Sequence, residues 1–250
     1  MNLLVFENKQ DLYSLPAADH RYRHVRQVLR AVAGDTLRIG VIAGPVTVAR
    51  VTSISADELE LLPDWAAAEE MTESPAVTVI VGHPRPPVLG RLWRDLTAMA
   101  VAQIRVFAAD LGEKSYQESH IWQTRHEYIL QGLSQGGHTI PPGISHYPSL
   151  ERALIDLPSG VGFYGSLDSA PARPVHRMNE LHRPDEPLWV VIGPERGFTP
   201  REETVLLQSG AHPLSLGHGT LRTETATILL AGVAVSIFGD RSGQRVVPSL

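Results

Sequence analysis

The chain has 250 residues, is 43% hydrophobic and 20% charged, and carries a net charge of −5. That balance excludes a disordered chain and is sufficient to bury one large α/β core or two smaller ones. The absence of cysteine removes disulfides and thiolate metal sites from consideration, and the acidic total means that any nucleic-acid surface has to be local.

The first residues, MNLLVFENKQ, contain Glu7 and only a short apolar stretch, which does not read as a secretory leader. The longest apolar run, near Ile228 to Ile237, is too short to span a bilayer, so no membrane partner and a cytoplasmic location are expected. Residues 1 to 63 alternate short apolar runs, at Asn2 to Phe6, Thr36 to Ile42, Val46 to Ile54 and Leu59 to Leu62, with turns at Gly34-Asp35, Gly44-Pro45 and Ala56-Asp57. Short strands around tight turns suggest a small barrel.

Between the first strands lies HRYRHVRQVLRAV, His20 to Val32, which predicts a helix. Val25, Val28, Leu29 and Val32 fall on one face of it, and Arg23, Arg26 and Arg30 on another. This is the most basic segment of the chain. Together with His24 its arginines are candidate RNA contacts, although a solvated charged face is the commoner use of such a pattern. His20 and His24 share a face, but with no cysteine and no carboxylate pair nearby, no metal site is expected.

Pro63 to Pro75 is acidic, alanine-rich and bounded by prolines, the composition of a linker. It divides an N-terminal domain, 1–72, from a second domain, 73–250. From Ala76 onward strands alternate with helices: Val77 to Gly82 extended, about Val88 to Val101 helical, Ile104 to Ala108 extended, and Ile121 to Gln135 helical. Leu150 to Leu157 follows as a helix, Val161 to Tyr164 and Leu188 to Ile192 as strands, Arg201 to Gln208 as a helix and His212 to Leu216 as a strand. The alternation predicts an α/β domain with a mainly parallel sheet.

In open α/β sheets ligands bind outside the carboxyl ends of the strands. Three glycine-containing loops are placed there: Tyr164-Gly165-Ser166, Gly193 to Gly197 after the apolar run LWVVI, and Gly217 to Gly219 after LSL. None contains the fingerprint of a dinucleotide site or a P-loop. Thr199 before Pro200, with Glu202 following, is a helix cap. The third loop runs into LRTETATILL, where Glu224 sits in the first turn of an apolar helix.

GPERGFTPREE followed by LGHGTLRTETA resembles the paired signature of the RsmE-type ribosomal-RNA uridine N3-methyltransferases. HVRQVLRAVAGD and Glu113-Lys114-Ser115-Tyr116 with Ser119 are similar to further segments of that family, so the resemblance touches both domains. It implies a PUA-like N-terminal barrel that helps hold RNA, joined to a SPOUT domain threaded as a trefoil knot. It also implies S-adenosylmethionine as cofactor, small-subunit ribosomal RNA as partner and a homodimer without metal. Carried over by position, Ile192, Gly193, Glu195, Gly197, Leu216, Gly217, Thr220 and Leu221, with Gly165 from the first loop, would hold the cofactor. Arg222 and Glu224 would face the transferred methyl group, Arg222 to stabilise a developing anion and Glu224 to accept the N3 proton. Alternatives are that Glu224 only caps its helix and that Arg222 holds a phosphate or Glu195.

The chain departs from the family pattern at Arg196, where a glycine is usual, at Gly219, where arginine is usual, and at Thr220, where isoleucine is usual. Arg196 could supply the guanidinium missing at Gly219, which makes it a further candidate RNA contact. His138 stands where an arginine often follows the family's glutamine. A ribosome-assembly protein of the same fold without catalysis, or a tRNA methyltransferase, are the rival readings.

Overall fold

The computed structural model describes residues 3–70, 74–166, 173–174, 178–183 and 186–242. Its contacts divide into two units, one comprising 1–73 and 130–141, the other 74–129 and 142–250.

In the first unit five strands, β1 (Leu4–Phe6), β2 (Tyr13–Pro16), β3 (Thr36–Val41), β4 (Val46–Ile54) and β5 (Glu58–Pro63), form one sheet in the order β1-β3-β4-β5-β2. The β1–β3 pair is parallel and the others are antiparallel. Alternation sets the faces: Ala49 and Val51 of β4 point inward onto Ile39, Leu59 and Leu61, while Val48 and Arg50 point out. The sequence reading has no strand at β2. Tyr13 and Leu15 nonetheless take the inward positions and Tyr13 stacks on Phe6 at 3.8 Å, which recruits this short, proline-ended segment to the sheet's edge. Among the described residues no ladder joins β1 to β2.

The predicted helix from His20 to Val32 is replaced by two shorter pieces. An α-helical turn, α1 (His20–Arg23), is capped by Asp19, and a π-helical turn follows over His24–Leu29. The π turn adds a residue per turn and ends at Arg30, whose φ of 55° is left-handed. The single apolar face therefore splits. Tyr22 and Val25 are buried, whereas Val28, Leu29 and Val32 are 66%, 46% and 61% exposed.

Most of the predicted linker is structured in its described part. Trp65 donates its indole N–H to the Gln10 carbonyl at 2.7 Å and meets the Tyr13 ring edge-on, and Glu69 forms a bridge with Val46. One half-buried aromatic anchor outweighs the alanine-rich, acidic composition around it. The segment 130–141 joins the first unit through Leu3 N–H to Ser134 O at 3.1 Å and Ala43 N–H to Thr139 O at 2.8 Å. Gly40 is required there, since a Cβ on it would lie 2.5 Å from Thr139 Cγ2.

Among its described residues the second unit contains seven strands: β6 (Val77–Gly82), β7 (Gln103–Phe107), β8 (Gly143–Tyr147), β9 (Val161–Gly165), β10 (Arg173–Pro174), β11 (Leu188–Ile192) and β12 (His212–Ser215). All pairs are parallel, in the order β10-β12-β9-β11-β6-β7-β8. The sheet is covered on both sides, as parallel sheets require. Val77, Val79 and Val81 face a core with α2 (Pro86–Ala98) and α7 (Thr223–Ser242). Ile80, Trp189, Val191 and Tyr164 face the opposite core with α4 (Leu150–Leu154) and α6 (Pro200–Gln208). The turn α5 (Met178–Leu181) lies in this unit, and the helix α3 (Arg125–Gly136) carries the chain from it into the segment 130–141. Among the described residues, no helix is long and apolar enough to cross a membrane.

Candidate cofactor cleft

Strands β12, β9 and β11 are neighbours in the sheet, so the loops that leave their carboxyl ends converge. They enclose a cleft of about 420 Å³, within the range of small-molecule sites. Gly165, Ile192, Gly193, Glu195, Gly197, Leu216, Gly217, Thr220 and Leu221 all line it. So does Arg196, together with Phe198, Glu203, Gly219 and Thr223. Phe198 and Glu203 carry no local signal of a site and join the lining because the start of α6 folds back beside the cleft.

Each loop is fixed by a short-range constraint. Gly197 and Gly217 have φ of 74° and 123°, values that a residue with a Cβ adopts only under strain. The close approach of β6 to the second loop demands Gly82, where a Cβ would lie 2.6 Å from Pro194 N. Thr223 places its hydroxyl 3.4 Å from the Gly193 carbonyl, tying the third loop to the second. The second loop continues into α6 through a full capping box between Thr199 and Glu202. The Arg201 guanidinium and the Thr199 hydroxyl both donate to Asp110 after β7, at 2.8 Å and 2.9 Å, and hold its carboxyl below the usual range.

Arg222 and Glu224 stand beside the cleft and outside its lining. Arg222 is exposed. Glu224 is bound by Arg91 of α2 through Nε and Nη2, at 2.7 and 3.0 Å. That hydrogen-bonded pairing, reinforced by the charges of Arg91, Arg222 and Arg94, lowers the Glu224 carboxyl from its ordinary value. Depressing the pKa weakens a carboxylate as a proton acceptor. Glu195 accepts from Arg85 N–H at 3.2 Å, at the N-terminus of α2, so it links the second loop to the β6–α2 connection.

In the first unit, Arg23, Arg26 and Arg30 are exposed and His24 half-buried. Arg26 is already engaged, donating to the Tyr22 hydroxyl and the Ser55 carbonyl. Arg23 reaches the Ala18 carbonyl, at 3.5 Å. His138 is buried, 5% exposed, so it presents no RNA-facing cation. Among the described residues, no group of three or more His, Asp or Glu side chains could hold a metal ion.

A wholly parallel sheet, covered on both faces and carrying one cleft at the ends of three adjacent strands, defines an α/β protein of the small-ligand-binding class. The sequence profile of a family described as "RNA methyltransferase domain" matches residues 72–235, and the chain belongs to that family. Among curated proteins it is 28% identical to ribosomal RNA small subunit methyltransferase E of Treponema pallidum, over 99% of this chain and 95% of the relative. Its fold matches a probable rRNA methyltransferase of Porphyromonas gingivalis, with a TM-score of 0.74 at 20% identity over 96% and 99% of the two chains. It also matches ribosomal RNA small subunit methyltransferase E of Neisseria gonorrhoeae bound to S-adenosyl methionine, with a TM-score of 0.69 at 22% identity over 94% and 95%.

Proposed function

We propose that the protein transfers a methyl group from S-adenosylmethionine to N3 of a uridine in small-subunit ribosomal RNA, as a cytoplasmic homodimer that needs no metal. The observation that carries this reading is the convergence of three strand-end loops into one cleft lined by every residue expected to hold the cofactor. The curated relative's name supports the substrate class, and a solved neighbour with the same fold holds the proposed cofactor.

The cleft residues fit that cofactor by their chemistry. Ile192, Leu216, Leu221 and Phe198 offer an apolar wall to an adenine ring, and Glu195 and Glu203 offer negative charge to a cationic ligand. Space at Gly197, Gly217 and Gly219, where a Cβ would meet nothing within 4 Å, lets a ligand approach the backbone of the second and third loops closely. Arg196 and Gly219 lie in the same cleft, which supports Arg196 as the replacement for the guanidinium missing at position 219. When bound, the cofactor supplies an electrophilic methyl group. Arg222, exposed beside the cleft, stabilises the negative charge that develops on the uracil ring as its N3 proton passes to solvent water. Glu224, already paired with Arg91, serves as a positioning residue for the start of α7 and for Arg222.

We read the first unit, with its exposed Arg23 and Arg30, as a PUA-like RNA-binding domain, and the second as a SPOUT domain with trefoil threading. Calorimetry tests the cofactor step: binding of S-adenosylmethionine in the presence of a chelator is expected, and no binding to correctly folded protein overturns the reading.

A further inference from the structure

At the carboxyl ends of β6, β7 and β8, outside the lining of the cleft, three rings surround a buried histidine. His83 follows β6 and is 2% exposed. Tyr116, Trp122 and His146 lie with ring centroids 6.2, 5.9 and 5.8 Å from it, and Trp122 and His146 are 5.2 Å apart. The base of this group is rigid. The Trp122 indole N–H, a donor only, points at His83 Nε2 at 3.3 Å, so Nε2 accepts and Nδ1 carries the proton to the Pro84 carbonyl at 2.9 Å. Trp93, fully buried, packs edge-on beneath Trp122 at 5.0 Å. The upper rings are not buried: Tyr116 and Trp122 are half-buried, and His146 is exposed on the edge strand β8. Trp122 packs on the core with one part of its ring and, like Tyr116 and His146, keeps the rest open to solvent, unlike the fully buried Trp93.

We infer that Tyr116, Trp122 and His146 form a ledge on which an unpaired nucleobase of the RNA substrate stacks, beside the cleft that would hold the methyl donor. The inference rests on the RNA methyltransferase reading given above. Aromatic and imidazole faces are the surfaces on which proteins stack splayed-out bases. Ledge and cleft share the connection after β6, since Glu195 of the cleft binds the Arg85 amide two residues beyond His83. Lys114 and Arg85 add exposed positive charge, but Glu113 and Glu118 on the same loop offset it. The rings, not the charge, therefore carry recognition, which separates this ledge from a general phosphate-binding patch.

The test uses the full chain, a short oligouridylate and an abasic oligomer of equal charge, with affinities measured at one fixed salt concentration. The wild-type protein is expected to bind the oligouridylate more tightly than the abasic oligomer. Tyr116→Ala and His146→Ala are each expected to weaken oligouridylate binding by roughly tenfold, the scale of one lost stacking contact. Binding of the abasic oligomer and of S-adenosylmethionine stays unchanged, and Tyr116→Phe retains the wild-type affinity. Equal wild-type affinity for the two oligomers, or alanine variants that bind oligouridylate as the wild type does, overturns the ledge. Methyl transfer to ribosomal RNA by the same wild-type preparation is scored separately, so the enzyme reading can survive the loss of the ledge and its own failure is seen independently.

Discussion

Glu224, in the first turn of α7, is clamped by the Arg91 guanidinium of α2 through two hydrogen bonds of 2.7 and 3.0 Å. The carboxylate is thereby committed to a cation and lowered in pKa, which argues for positioning over proton transfer. A general base typically contributes about 10²- to 10⁴-fold to rate. Glu224→Gln and Arg91→Gln are therefore expected to lower kcat by similar amounts, each below about 10²-fold, with S-adenosylmethionine affinity nearly unchanged. A loss of 10³-fold or more confined to Glu224→Gln would return the proton-acceptor role to this residue.

The same pair has a pH signature. Because the folded carboxyl is depressed from an ordinary value of 4.5, its contribution to stability is fully present above that value and disappears as the pH falls through the folded value. Urea midpoints of wild type and Glu224→Gln should differ near pH 7 and converge in acid. A difference that persists undiminished at pH 3 contradicts the assignment.

His83 makes a second pH prediction nearer neutrality. Burial, with a further push from His146, holds it below its ordinary 6.5. The unfolded chain then binds more protons below pH 6.5, so stability is full above that value and falls on acidification, by at most about 1.4 kcal/mol per pH unit for one group. Unfolding of wild type and His83→Asn compared between pH 7.5 and 5.5 should show a smaller acid loss in the variant.

At Gly217 the φ of 123° is open to glycine alone, and the space around it is empty. Gly217→Ala should therefore act through strain and not through a clash, costing on the order of 1–3 kcal/mol locally. The expected result is weakened S-adenosylmethionine binding together with a urea midpoint lowered by that strain, read by calorimetry and urea titration.

In the first unit, Arg23→Ala should weaken RNA binding across sequences and flatten its dependence on salt, whereas Arg26→Ala should do less because Arg26 is already bonded to Tyr22 and Ser55. Equal effects of the two would place Arg26 on the RNA as well.

What the sequence made legible follows its local signals. The strand-end loops could be read because glycines and apolar runs such as LWVVI mark them directly, and the order β12-β9-β11 then brings them together. The π turn could not be read, because a 3.6-residue period extrapolates past Arg23, while the chain adds a residue and turns Val28, Leu29 and Val32 outward. Strand β8 escaped because GISHY lies at the sheet's edge and is only partly buried, leaving no alternating pattern. Trp65 shows one tertiary contact overriding the composition of an apparent linker. Arg91 was invisible for a different reason: its partner is 133 residues away, and no local pattern records such a pairing.

The most direct measurement is methyl transfer itself. Purified protein, labelled S-adenosylmethionine and small-subunit ribosomal RNA, free or assembled, are incubated with a chelator and the methylated nucleoside is mapped by mass spectrometry. A single N3-methyluridine in that RNA is expected. Methyl on another atom or in transfer RNA, or RNA binding with no methyl gained, contradicts it.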